Sequence, residues 1–474
     1  MDRGAHQRVL RVPPPRGVYR VHPFATQPRI PRSRSPGRVP GQVVGCRHVG
    51  QHVGAGWFPE LVCLEQRARL ARRDSLVRVQ VDSAFGPVEL ADDVLTQHRD
   101  EIAATSPADP VRLVYAAAHL VMKADYAEVE HTLDVSVPTS ELSNHIDWKR
   151  TFELRRRLDA LGFGIAEAMD TEQRFQIGWE NAARLIEGAG ELQLKNGFVA
   201  GAGVDHLSCI ADEDALVAGV IFQVNAIQAV GGIAILLPLP WLCEQGYDED
   251  GFVRVYGKLA DALNGPLFVH WLGEMFLPAL KGYFPGASFS RIMAAHPQTL
   301  RGAKLSLLDA ELERRLRADL ATRDQIMLTG DDFNFAELMA GGPITGTTHI
   351  LNRTVPTGEF SHGLLGIFDG IAEPASLALQ FLARGDEARY LELMEPCAQL
   401  SRHLFEAPTQ HYKAGLAFLA WLNGDQPNAM LVQHEESARS IQHYVKAACL
   451  ASAAGVIRDA ERAARRLTEF LVRV

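Results

Sequence analysis

The feature of this 474-residue chain that most restricts its fold is a repeated unit of a short apolar run, a polar loop and a helical stretch. Eight such runs follow one another, at residues 111–119, 162–169, 197–203, 232–240, 266–273, 300–307, 325–332 and 345–352. Eight short apolar strands that alternate with helices over about 240 residues are typical of a (β/α)8 barrel, the TIM-barrel fold of the α/β class. A doubly wound sheet is the competing architecture, but no GxGxxG motif follows any of the runs.

The rest of the chain divides around this unit. The first 74 residues contain 14 arginines and 9 of the 25 prolines but four acidic residues, and they show no helix or strand period. We therefore expect residues 1–75 to be a disordered tail, or the product of a start codon assigned too far upstream. Residues 76–107 contain two short strand-like runs that lead into a barrel at 108–355. Residues 356–474 have apolar positions at three-to-four spacing, which predicts a C-terminal helical appendage.

Charge and composition exclude several classes of protein. The net charge of −9 argues against a nucleic-acid-binding protein. The six cysteines are scattered without CxxC spacing, which fits a reducing compartment. The longest apolar run, at residues 231–242, contains two prolines and is too short to span a bilayer. The sequence therefore predicts a cytoplasmic protein that binds neither nucleic acid nor membrane.

Catalytic groups of (β/α)8 barrels lie at the carboxyl ends of the strands. A lysine there, in the apolar stretch "LRGAKLSLLD", is costly unless it is paired or neutralised. The polar or glycine residues at the predicted strand ends are Asp170 and Thr171 on the second strand, Gly203, Asp205 and His206 on the third, His270 on the fifth, Lys304 on the sixth, Gly330, Asp331 and Asp332 on the seventh, and His349 and Asn352 on the eighth.

Four of these segments carry a resemblance to a known family. They are "FVAGAG" (198–203), "LRGAKL" (300–305), "LTGDD" (328–332) and "GGPITGTTHILN" (341–352). In this order they resemble the dihydrodipicolinate synthase and N-acetylneuraminate lyase superfamily, and most of all a dihydrodipicolinate-synthase-like branch of it, over roughly residues 108–430. The resemblance implies that Lys304 forms a Schiff base with a carbonyl substrate, without a cofactor, in a homo-oligomer.

Two departures from the family pattern concern the substrate and the proton relay. Where the family has Gly-Thr-Thr-Gly-Glu, which binds the carboxylate of a 2-oxo acid, this chain reads Met-Asp-Thr-Glu-Gln from residue 169. Asp170 would repel such a carboxylate by about 1–4 kcal/mol, so we expect a substrate other than pyruvate. The tyrosine that relays protons on the family's fifth strand is replaced by His270, which can also relay protons near neutral pH.

The favoured interpretation is therefore a class I aldolase or lyase that acts on a small carbonyl compound. Its expected catalytic residues are Lys304 and His270, and its expected substrate contacts are Asp170, Thr171, Gly203, Asp331, Asp332, His349 and Asn352. Other interpretations remain open from the residues alone. Lys304 could reach solvent or pair with one of the two aspartates, and one aspartate could cap the following helix.

The alternative functions are a metal-dependent barrel enzyme and an inactive barrel that binds a small molecule. His206, His270 and His349 could form a divalent-metal site with Asp170 or Asp331, although none of these histidines has HxH or HxxxH spacing. The favoured interpretation includes no metal.

Overall fold

The structure is a computed structural model that describes residues 77–133, 138–169 and 173–473. The predicted tail at 1–75 lies outside the described residues. The strands are β1 Arg78–Val81, β2 Val88–Ala91, β3 Val114–Ala116, β4 Gly164–Glu167, β5 Phe198–Ala202, β6 Ile233–Leu236, β7 Leu267–Leu272, β8 Leu300–Ser306, β9 Ile326–Thr329, β10 Ile344–Ile350, β11 Arg353–Gly358 and β12 His362–Leu365.

Helices separate the strands and fill most of the chain after β12. The α-helices are Thr96–Ala103, Thr139–His145, Trp148–Ala160, Gln173–Glu191, Glu213–Ala229, Pro240–Glu244, Glu249–Ala262, Ser288–Ala295, Ala310–Ala321, Phe335–Ala340, Ala372–Ala383, Glu387–Leu404, Tyr412–Leu422, Ile441–Ala453 and Ala460–Arg473. Short 3-10 helical segments lie at Ala124–Glu128, Pro278–Leu280, Ile367–Asp369, Thr409–His411 and Val432–Ala438.

The sequence encodes the starts of several of these helices. Aspartate at the N-cap accepts a hydrogen bond from the backbone N–H three residues further on, and so satisfies one of the donors that a helix start leaves unpaired. The aspartates that do this are Asp147, Asp212, Asp248, Asp309 and Asp386.

Within the described ranges, eight parallel strands close into a barrel in the order β12-β3-β4-β5-β6-β7-β8-β9. Side chains alternate along each strand between the barrel interior and the layer of surrounding helices. Phe268, Leu328 and Leu364 belong to an interior cluster, whereas Val269 and Leu305 pack against the helices. The predicted (β/α)8 barrel with C-terminal helices is confirmed.

Two short strands precede the barrel, as the sequence predicts. β1 and β2 form an antiparallel pair. The backbone N–H of Ala91 in β2 donates to Ser452 Oγ at 2.9 Å, which joins this pair to the helix Ile441–Ala453. The lead-in segment therefore contacts the C-terminal helices.

The predicted eighth strand is wrong. Residues 345–352 do form a strand, β10, but β10 pairs antiparallel with β11 in a hairpin that is not part of the barrel sheet. The strand that closes the barrel is β12, between β3 and β9, so the barrel extends past residue 355. Threonine and isoleucine favour a strand at 345–352, and a strand preference does not say with which strand it pairs.

The hairpin β10-β11 lies at the amino-terminal end of the barrel. Thr348 donates to the carbonyl oxygen of Asp324, which precedes β9, and Arg353 donates to that of Lys195, which precedes β5. Ile350 and Val355 join the interior cluster from this side. The hairpin therefore covers the end of the barrel opposite to the strand ends at which catalytic groups are expected.

Among the described residues, no helix is both long enough and apolar enough to cross a membrane.

Candidate active site

Lys304 lies in β8 with its side chain in the barrel interior. It is in register with His270 of β7 and Leu328 of β9, and Leu328 belongs to the interior cluster. Register partners on parallel strands point to the same side of the sheet. Lys304 is 5% exposed, so the barrel encloses nearly all of its side chain.

Gly330, directly after β9, leaves room for the lysine side chain. A β carbon at position 330 would lie 2.8 Å from Lys304 Cε and would overlap Ser306 Oγ. Carbon atoms pack at about 3.5–4.0 Å, so a larger residue at position 330 would displace the lysine. The "LTGDD" motif therefore contributes space beside the amine.

His270 is the polar neighbour of Lys304 on the adjacent strand. It is fully buried, and its Nε2 lies 3.1 Å from Ser306 Oγ, two residues beyond Lys304 on the same side of β8. An imidazole, a hydroxyl and an amine therefore share two adjacent strands inside the barrel. Such a set can pass a proton between neighbouring groups.

Asp332 adds a carboxyl group to this end of the barrel. It is buried, and its Oδ1 accepts a hydrogen bond from the backbone N–H of Ile367, just after β12, at 3.2 Å. Burial raises the pKa of Asp332 to about 7, although this N–H and the charge of Lys304 act in the opposite direction. The carboxyl can therefore exchange a proton near neutral pH.

Asp331 has a different environment. Its Oδ1 accepts from the backbone N–H groups of Phe333 and Asn334, both at 3.0 Å, and its Oδ2 accepts from Asn334 Nδ2 at 2.8 Å. These bonds shape the turn that leads into the helix Phe335–Ala340. Asp331 stabilises this turn, and of the two aspartates Asp332 is the one near the lysine.

Gly203, at the end of the third barrel strand, belongs to a charged network. Its N–H donates to Gln223 Oε1 at 2.7 Å, and Gln223 also bonds Asp205, which Arg174 contacts through two nitrogens at 2.9 and 3.0 Å. Burial tends to raise the pKa of Asp205, but the hydrogen bonds and charge of Arg174 outweigh it and lower the pKa. The network fixes the loop after β5.

His349 and Asn352 do not lie with Lys304. Both belong to the hairpin at the amino-terminal end of the barrel, so their assignment as substrate contacts is corrected here. The residues that follow the true eighth strand are in the turn Ile367–Asp369. Asp170 and Thr171 lie outside the described residues, and their role stays a prediction.

The three histidines of the metal alternative are not brought together. His206 accepts from Gln223 Nε2 at 2.9 Å and its ring lies against Phe222, with centroids 4.7 Å apart. His270 is inside the barrel and His349 is at its opposite end. The three histidines are therefore too far apart to bind one metal ion together.

A buried histidine–aspartate pair at the same end of the barrel was missed from the sequence. His119 Nδ1 lies 2.5 Å from Asp369 Oδ2, and its Nε2 lies 2.6 Å from Gln426 Oε1. His119 ends the first apolar run, "VRLVYAAAH", so its strand-end position was a usable signal. Asp369 follows the true eighth strand, and it could not be placed while that strand was assigned to 345–352.

A closed parallel barrel with a lysine in its interior defines the class: a (β/α)8-barrel protein with the fold of dihydrodipicolinate synthase. The solved structures that resemble it include three dihydrodipicolinate synthases, of which one is described as the first monomeric variant, one is from Bacillus clausii and one is from Thermotoga maritima. Their sequence identities are 12%, 14% and 12% and their TM-scores 0.52, 0.50 and 0.53, over 73%, 72% and 74% of this chain and 97%, 98% and 100% of theirs. The resemblance seen in the sequence is confirmed at the level of the fold.

The chain itself belongs to the family described as "Protein of unknown function (DUF993)", whose model matches residues 88–474. No curated protein matches the chain. Since one neighbour of the same fold is a monomeric variant, a homo-oligomer stays a prediction.

Proposed function

We propose that this protein is a class I aldolase or lyase that forms an imine between Lys304 and a small carbonyl substrate. The observation that carries the proposal is the position of Lys304, which is 5% exposed in the barrel interior and in register with His270. The sequence resemblance, which implies a Schiff-base lysine at this position, supports the same conclusion.

The reaction follows from the chemistry of a neutral amine. The lone pair of Lys304 Nζ forms a bond to the carbonyl carbon, and the carbonyl oxygen leaves as water after it has taken up two protons. In the cleavage direction, the β-hydroxyl loses its proton and the bond between the α and β carbons breaks, so that the β carbon leaves as a carbonyl product. The electrons of this bond form the enamine and are accepted by the protonated imine nitrogen. The enamine that results is protonated at carbon, and water then hydrolyses the imine and releases the lysine.

Two neighbouring groups are proposed to supply and remove these protons. His270 is in hydrogen-bonding distance of Ser306 and is the proposed proton shuttle. Asp332, with a pKa of about 7, is the proposed acceptor for the proton of the lysine ammonium. From the sequence Asp332 is expected to bind the substrate, and its buried position favours an acid–base role instead.

The substrate class rests on the loop after the second barrel strand. Asp170 and Thr171 stay the proposed substrate contacts there, together with Gly203 after the third strand. A carboxylate at position 170 favours a hydroxyl- or amine-bearing carbonyl compound over a 2-oxo acid. The small-molecule substrate is therefore expected to be a hydroxylated or amino-substituted aldehyde or ketone.

The decisive experiment is reduction with borohydride in the presence of a panel of aldehydes, 2-oxo acids and sugar-derived carbonyls, followed by peptide mass spectrometry. We expect a stable adduct on the peptide that contains Lys304 and none on the peptide that contains Lys413. Lys413 is a matched internal control because it is also 5% exposed, but it lies in a C-terminal helix.

Two variants complete the test. Lys304→Ala should remain folded and lose nearly all turnover, and Lys304→Arg should fare no better because a guanidinium stays protonated. The result would be different for a barrel that binds a small molecule without imine chemistry. In that case no panel compound would form an adduct on Lys304, and Lys304→Ala would bind a panel compound as well as the unmodified protein does.

A further inference from the structure

The C-terminal helices contain a cluster of metal-ligating side chains that is separate from the barrel interior. His403 lies in the last turn of the helix Glu387–Leu404, Glu406 follows this helix, and His443 lies in the helix Ile441–Ala453. The two histidine rings have centroids 4.2 Å apart. The side chains of His403 and His443 are each 4% exposed, whereas that of Glu406 is 48% exposed.

Distances within the cluster match those between ligands of one small cation. Glu406 Oε1 lies 2.9 Å from His443 Nδ1, and Glu406 Oε2 lies 3.3 Å from His403 Nδ1. One ligand atom from each residue lies within 4.8 Å of the others. Zinc bonds of about 2.0–2.2 Å in tetrahedral geometry place neighbouring ligand atoms about 3.3 Å apart.

Hydrogen bonding fixes one imidazole in the form that binds a metal. His403 Nε2 lies 2.9 Å from the backbone carbonyl oxygen of His443, which can only accept, so Nε2 carries a proton and Nδ1 is the nitrogen left to bind an ion. This Nδ1 is buried and has no hydrogen-bond partner among the described residues. A backbone carbonyl that accepts from the other ring nitrogen of a histidine ligand in this way is usual at zinc sites.

The other imidazole is also suited to metal binding. The side chain of His443 is 4% exposed, and its Nδ1 lies 2.9 Å from Glu406 Oε1. A metal ion would displace the Nδ1 proton that His443 shares with Glu406. The half-exposed carboxylate leaves the fourth position of the ion open to water.

Arg439 has two opposing effects at this place. Its guanidinium donates to the carbonyl oxygens of Leu404, Glu406 and Pro408 at 3.2, 3.0 and 3.0 Å, and so holds the loop that carries Glu406. Its positive charge opposes a cation, and the negative charge of Glu406 offsets it.

We propose that His403, Glu406 and His443 bind one Zn2+ ion, which joins the end of one C-terminal helix to another. Two imidazoles and one carboxylate are a ligand set that zinc uses when one position remains for water. The ion joins segments 37 residues apart in the chain, and it therefore stabilises the layer of C-terminal helices.

The test uses the full chain, stripped with a chelator and titrated with Zn2+ and with Co2+ as a spectroscopic probe. We expect one ion per chain by elemental analysis, a visible Co2+ spectrum of a four- or five-coordinate site, and a Tm that rises on addition of Zn2+. Glu406→Gln and His403→Gln should weaken binding at least ~10-fold and abolish the rise in Tm.

Two control variants separate this site from adventitious binding by the other histidines among the 17 in the chain. Glu395→Gln changes an exposed carboxylate on the same helix as His403, and His349→Gln changes an exposed histidine of the hairpin β10-β11. Both should bind Zn2+ like the unmodified protein. The proposal is overturned if the unmodified chain retains no stoichiometric metal, or if Glu406→Gln and His403→Gln bind it as tightly as the controls.

Discussion

Substitution of Gly330 by alanine tests whether the space beside Lys304 is needed for imine formation. Gly330 is buried directly after β9, and a β carbon there would lie 2.8 Å from Lys304 Cε. The optimum carbon–carbon distance is about 3.5–4.0 Å, so the lysine or the backbone must move by about 1 Å. The added methyl group would also overlap Ser306 Oγ, the hydrogen-bonding neighbour of His270.

Two magnitudes follow from this overlap. Inserting a methyl group into a well-packed interior costs about 1–3 kcal/mol in the free energy of unfolding. Displacement of a reacting group by about 1 Å lowers the rate by about 100-fold. We therefore expect Gly330→Ala to unfold at a lower urea concentration and to trap the carbonyl substrate on Lys304 about 100 times more slowly under borohydride.

The matched control is Gly257→Ala, in the helix Glu249–Ala262 outside the barrel. A β carbon at position 257 would meet His296 Nε2 at 3.6 Å, an ordinary contact distance, and alanine favours a helix over glycine. This variant should keep the trapping rate and lose no stability. The reasoning fails if Gly330→Ala is labelled on Lys304 as fast as Gly257→Ala and unfolds at the same urea concentration.

Three further predictions concern buried charges. In the unmodified protein the trapping rate should rise as pH increases through about 7, because the Asp332 carboxylate that accepts the lysine proton forms in this range. Asp332→Asn should lack this rise. If the rise persists in the variant, another group is the proton acceptor. Burial raises the pKa of Glu313 from 4.5 to about 7, so this group by itself should remove about 3 kcal/mol of stability as pH rises from below 4.5 to above 7. In urea unfolding, Glu313→Gln should lose less stability than the unmodified protein over this range, by about that amount, and parallel pH curves for the two proteins would contradict the assignment. Arg155 donates to both carboxylate oxygens of buried Glu167, at 2.7 and 3.0 Å. Arg155→Met should lower the free energy of unfolding, measured by chemical denaturation, by about 3–5 kcal/mol because it leaves a buried charge unpaired. A decrease below about 1 kcal/mol would mean that water reaches Glu167.

The fold could be predicted because its signal is repeated along the chain. Strand runs such as 197–203 and 232–240 contain the observed strands β5 and β6, and the alternation with helices defines the barrel. The strand that closes the barrel between β9 and β3 could not be predicted in the same way. β10 is rich in β-branched residues, while β12, "HGLL", is four residues long and buried throughout, so the stronger local signal was in the strand outside the barrel.

A residue of the candidate site could be predicted only where its position depends on the strand that contains it. Lys304 and His270 were assigned to adjacent strands, and the structure puts them in register. Asp332 was assigned to a strand end, but its raised pKa depends on burial, and residues distant in sequence, Ile367 and Ser401, contact it. Burial of this kind arises from segments distant in sequence, and no local pattern contains it.

The C-terminal helices are part of the candidate site as well as an appendage to the barrel. Ser401 Oγ donates to the backbone carbonyl oxygen of Asp332 at 2.6 Å, which fixes the strand-end residue that lies near Lys304. Gln426 bonds His119 at the end of the first barrel strand. Because hydrogen-bonded supports determine how closely a catalytic group keeps its position, we expect this C-terminal region to contribute to the geometry of the proposed amine site. The match of the family model through to residue 474 is consistent with a barrel and helices that act as one unit.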